Sequence, residues 1–151
     1  MPLESRRFAK AALIFLLLTF LAGAAFTVAR GAGVAVPAIF AVEHGHAGFV
    51  GFLVNIVIGV ALWMLPLNRD RYPNTQGRYP QWAPTLCFWL LNGGLAVRLV
   101  AEPLDVLAMH SSLLAMIVNL AAIVQVAAVV IFVAIAWQRV RGPTRPAPGV
   151  R

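Results

Sequence analysis

Four apolar stretches, each bounded by charged or turn-forming residues, run through the sequence. They extend from about Ala11 to Ala29, Phe40 to Leu65, Pro84 to Ala101 and Leu107 to Trp137, each long enough to cross a hydrocarbon core about 30 Å thick. Together they occupy most of a chain of 151 residues. Hydrophobic residues make up 61% and charged residues 11%, whereas soluble domains average roughly 45–50% and 25%. A water-soluble globule is excluded, and so is a disordered chain, which combines low hydrophobicity with high charge. The expected fold is all-α: an integral membrane four-helix bundle over residues 1–138, followed by a basic, proline-rich tail at 139–151.

The charges orient the spans. Arg6, Arg7 and Lys10 precede the first, Arg69, Arg71 and Arg78 lie between the second and third, and Arg139, Arg141, Arg145 and Arg151 follow the fourth. Of the 12 Lys and Arg, only Arg30 and Arg98 fall at the opposite ends. Cytoplasmic segments of membrane proteins are enriched in these residues, so both termini and the middle loop are expected in the cytoplasm of a bacterial inner membrane. Tyr72, Tyr79, Trp82 and Trp137 fall near the same interface and predict an aromatic belt. Ala22-Gly23-Ala24 resembles a signal-cleavage site, but apolar character continues past it to Ala29, so the first span is read as an anchor. Orientation accounts for the net charge of +7, and no nucleic-acid module is present. The expected partner is the lipid bilayer. The single cysteine, Cys87, excludes an intrachain disulfide and a paired-cysteine metal motif, and is read as packing.

All three histidines fall away from the basic clusters. His44 and His46 open the second span and His110 opens the fourth, which places them at one membrane level. Ionisable or ligating groups at membrane depth are costly and mark functional sites; interface histidines in contact with water are the alternative. On a regular helix, His44, Gly48, Gly51, Asn55 and Gly59 fall within about 80° of one another, and His46 lies about 200° from His44. The two imidazoles therefore face different surroundings. The glycines below His44 either admit a neighbouring helix at close range or leave a hollow for a flat macrocycle. Periodicity alone does not choose between these.

The string HGHAGFVGFLVNIVIGVALWMLP resembles the tenth transmembrane helix of the catalytic subunit of cbb3-type cytochrome oxidases and related nitric oxide reductases. That family's pattern reads HxHxGxxGWVxxxxxGxxYxLxP. His44, His46, Gly48, Gly51, Gly59 and Pro66 match it without a gap, and Phe52 stands where the family has tryptophan. The segment CFWLLNGG is similar to the HFWLxxxG start of the family's next helix: Phe88, Trp89, Leu90 and Gly94 match, and Cys87 replaces its histidine. The resemblance covers about residues 43–98 and implies a fragment of the haem-copper oxidase subunit I fold. In the family the first histidine ligates a high-spin haem and the second a low-spin haem, which would fall to His44 and His46. The family's copper ligands, crosslinked tyrosine and second low-spin ligand have no counterpart, and a total of 3 histidines is too few for an oxygen-reducing centre. The chain is therefore not expected to be an enzyme by itself.

Three functions follow as expectations. The first is binding of haem b for electron transfer or handling of a diatomic gas, with His44, His46 and His110 as ligands, Gly48 and Gly51 beneath the macrocycle, and Arg98 and Arg30 either on propionates or snorkelling to the interface. The second is a copper or zinc site drawn from Glu43, His44, His46, Met109 and His110, although helix geometry keeps His44 and His46 from sharing one ion unless the second span starts below His46. The third is a non-catalytic accessory or assembly subunit of a respiratory membrane complex, or a homo-oligomer. Elsewhere, Glu102 and Asp105 read as helix-end groups, Met64 and Met116 as core filler, and Asn55, Asn119 and Gln125 as hydrogen-bonding groups between helices.

Overall fold

The computed structural model describes residues 1–69 and 72–140, apart from the side chains at 108 and 109. Asp70, Arg71 and residues 141–151, which hold most of the expected tail, lie outside the described residues. Among the described residues the fold is all-helical. Four helices are long and apolar enough to cross a membrane. These are α1 (Leu3–Gly31), α2 (Ala38–Met64), α3 (Trp82–Leu104) and α4 (Ser112–Trp137). They alternate in direction, so one end of the bundle gathers the start of α1, the end of α2, the start of α3 and the end of α4; it is called the terminal end below. The other end carries the histidines.

The helix ends follow local chemistry. Helix α1 begins after an extended Pro2 and carries Glu4 in its first turn, where a negative charge complements the helix dipole. It stops where Gly33 takes φ 73° and turns its N–H back to the Arg30 carbonyl, a glycine-closed C-terminus. Helix α2 ends because Pro66 pushes Leu65 into an extended conformation, with ψ 140°. Helix α3 tolerates Pro84 in its first turn. It also runs on through Pro103, where the third span was expected to stop before Glu102. Beyond Leu104 the chain widens into a π-turn, Asp105–Met109, in which the His110 N–H bonds back to the Asp105 carbonyl at 2.9 Å. The Asp105 carboxylate then accepts the Ser111 N–H at 2.7 Å and helix α4 starts at Ser112. Leu107 therefore belongs to the α3 side of this connection, and His110 precedes the fourth helix instead of opening it.

Packing is pairwise. Helices α3 and α4 form the most extensive pair: the Gly94 backbone lies so close to α4 that an added Cβ would be 3.0 Å from the Ala121 carbonyl oxygen. The Cys87 thiol donates to the Ala128 carbonyl at 3.2 Å, which agrees with a packing role. Helix α1 pairs with α2 along the glycine stripe. The two hairpins meet in a core of Phe8, Ile58, Leu62, Tyr79, Leu91 and Ile135, with the Phe8 and Phe88 rings edge-to-face at 5.2 Å. The inter-helix role expected for Asn55 is found: its amide and that of Asn92 exchange hydrogen bonds of 3.1 and 3.0 Å between α2 and α3. Gln125 packs its stem over Gly94, and Asn119 faces outward. Met64 and Met116 also face outward; in a bundle this thin, lipid replaces protein around most side chains, so they are not core filler.

The terminal end is closed by an ordered cap. Arg139 was expected to open a solvated tail, but it is buried to 1% exposure. Its guanidinium donates to the carbonyls of Leu62, Leu65 and Pro66, groups that the end of α2 leaves without helical donors. The cation also sits at the negative end of the α2 dipole. Tyr79 packs beneath it, with 5.2 Å from the guanidinium carbon to the ring centre. This tyrosine is therefore interior, while Trp82 and Trp137 remain on the outside as belt residues do.

Candidate metal centre

His44 and His46 both lie in the regular first part of α2, Ala38–His46, so their divergence holds. Directly after them the helix widens into eight residues of π-helix, Ala47–Val54. The i→i+5 ladder winds more slowly per residue than an α-helix. Asn55 closes this stretch, its side-chain amide donating to the carbonyls of Val50 at 3.2 Å and Gly51 at 3.0 Å.

His44 turns toward α1. Its Cε1 lies 3.2 Å from where a Cβ on Gly23 would stand, and its ring meets Phe26 at 5.8 Å between centres. Below it, the stripe is not a hollow. A Cβ on Gly48 would be 3.3 Å from Thr19 Cγ2, and one on Gly51 would be 2.5 Å from Phe15 Cγ. The space that glycine leaves is taken by α1, so a macrocycle against Gly48 and Gly51 has to displace Thr19 and Phe15.

His46 turns toward α3 and meets acids there. Its Nδ1 lies 3.9 Å from Glu43 Oε1, one turn back on α2. Glu102, one turn beyond Arg98 on α3, completes a group. One ligating atom each from Glu43, His46 and Glu102 lie within 4.8 Å of one another. The Arg98 Nε donates to Glu102 Oε2 at 2.7 Å. Glu43 is only 6% exposed; its carboxyl oxygens receive no hydrogen bond from a basic or backbone group, and neither does His46 Nδ1, so its polar neighbours are the His46 imidazole and the Glu102 carboxyl group. A carboxyl group buried against a second carboxyl group, with an imidazole as its nearest basic neighbour, is costly to keep charged, and more so at membrane depth.

Two carboxylates and an imidazole are ligands for a first-row divalent ion such as Zn²⁺ or Mn²⁺. Ligand atoms about a tetrahedral ion stand about 3.3 Å apart, so capture of an ion draws the three side chains inward. His46 and Glu102 are 24% and 20% exposed, so the remaining positions would face the outside of the bundle.

Of the residues expected from sequence, the structure brings Glu43, His46 and Arg98 together. His44 lies on the α1 side, and His110 is exposed in the α3–α4 connection with φ 45°. Arg30 is exposed at the end of α1, and the thioether of Met109 lies outside the described side chains. Glu102 is the member that sequence reading missed as a ligand. The available signal was its i, i+4 spacing from Arg98, hidden by the expectation that Pro103 would end the helix before it. Compared with known protein families, curated proteins and solved structures, the chain matches none of them.

Proposed function

We propose that this protein binds a divalent transition-metal ion at the histidine end of the bundle, through Glu43, His46 and Glu102. The observation that carries the reading is Glu43, buried beside an imidazole and a second carboxyl group with no basic or backbone donor to its oxygens. The distribution of Lys and Arg supports a bacterial inner-membrane orientation with both termini cytoplasmic, which puts the centre near the outer face. The chain's part in this reading is to hold and present an ion, alone or to a partner, without turning over a substrate.

The test is equilibrium binding of Zn²⁺, Mn²⁺ and Cu²⁺ to purified protein in detergent, with an absorption spectrum recorded in parallel. Outer-shell changes already cost about 10–100-fold in metal affinity, so Glu43→Gln is expected to lose at least about 100-fold. Binding unchanged in Glu43→Gln would overturn the reading. A Soret band abolished by His44→Ala would replace it with the haem function that the oxidase resemblance implies.

A further inference from the structure

Three charges crowd the centre, and their sum constrains how an ion enters. Glu43 and Glu102 supply two carboxyl groups, and the guanidinium of Arg98 already occupies one face of Glu102 at 2.7 Å. An incoming divalent ion balances two carboxylates by itself. With Arg98 still in place the site would carry one excess positive charge where the surroundings screen poorly. Without an ion, Arg98 is what keeps Glu102 paired.

Arg98 also has somewhere to go. Its side chain is 20% exposed and lies near the end of α3, where long basic side chains extend their charged heads to the interface while the stem stays on apolar surface. Glu43, the more deeply buried acid, receives no hydrogen bond from a guanidinium.

Resting on the proposed metal reading, we propose that Arg98 is a tethered cation that competes with the metal: it holds Glu102 while the centre is empty and swings outward when an ion binds. The centre then exchanges one cation for another, and its affinity is set by the Arg98–Glu102 pair. The opposite role, in which Arg98 positions Glu102 for the ion, gives the opposite sign in the same experiment.

The experiment is calorimetric titration of Zn²⁺ into full-length wild-type, Arg98→Gln and Arg98→Lys proteins in lipid nanodiscs. Removing a unit charge this close is expected to tighten binding by on the order of ten-fold in Arg98→Gln. Arg98→Lys, which keeps the charge but loses the Nε donor, is expected to tighten less and in the same direction. It decides the sign if Arg98→Gln fails to fold. Binding seen only in Arg98→Gln also supports the exchange, since Arg98 then holds the wild-type site shut. Equal or weaker binding in the variants overturns the exchange and leaves the metal reading standing. No ion bound by wild type or by either variant overturns the metal reading itself, and the exchange with it.

Discussion

At Gly51 a single missing methyl group sets how closely α1 and α2 approach. A Cβ there would meet the Phe15 ring at 2.5 Å, inside any tolerable contact, so the glycine serves close helix approach. Gly51→Ala is expected to destabilise the protein by about 1–3 kcal/mol, and Phe15→Ala in the same chain to recover part of that loss. A double-mutant cycle on thermal unfolding measures the coupling; additive effects would show that the two residues do not touch. Tyr79, one of 2 tyrosines, gives a second residue-level test. Burial raises its pKa, as does the Glu4 charge, while Arg139 and Arg78 pull it down. The folded state therefore keeps this proton above the ordinary tyrosine value of about 10, where the unfolded chain has released its own. Stability must fall as pH rises past that value toward the folded pKa. In a Tyr72→Phe background, ultraviolet titration is expected to show phenolate only at higher pH, and Tyr79→Phe to remove this part of the alkaline loss.

Among the elements, α2 is where regular periodicity stops being a guide. Its π-helical stretch, Ala47–Val54, ends at Asn55, whose amide serves two carbonyls of its own helix and Asn92 of α3. Asn92→Ala is expected to cost about 0.6–1.7 kcal/mol, the range of polar contacts between membrane helices, read as a lowered thermal midpoint. No change would mean the pair is satisfied by water or lipid instead. The four spans were legible because apolar length and flanking charge report directly on membrane crossing. The opposed directions of His44 and His46 were legible because both precede the widened turns. What filled the glycine stripe was not legible: a row of small residues specifies close approach but does not say whether a helix or a ligand takes the space. The passage of α3 through Pro103 was hidden as well. A proline weakens a helix locally, but here the regular helix continues to Leu104 and widens only over Asp105–Met109, so Glu102 stays on the helix within reach of Glu43.

Over the whole molecule, the two ends are held differently. At the terminal end Arg139 ties α4 to the last carbonyls of α2, and Asn68 Nδ2 donates to the Gln138 carbonyl at 3.2 Å. At the histidine end, the polar groups between α2 and α3 include a carboxylate pair, a guanidinium and an imidazole with unused ligating atoms. In the proposed reading, these bonds hold the first end while the second rearranges around an ion. Orientation is checked with Asn74→Cys, since Cys87 is buried and shielded from reagents. A membrane-impermeant maleimide applied to intact cells is expected to leave residue 74 unlabelled; labelling from outside would invert the proposed topology. The most direct measurement on the centre itself is X-ray absorption at the zinc edge of the loaded protein. The expected spectrum has a shell of nitrogen and oxygen at about 2.0–2.2 Å, with outer-sphere scattering from one imidazole that disappears in His46→Ala. A sulfur shell, a spectrum of hydrated zinc alone, or an imidazole signal that survives His46→Ala would contradict it.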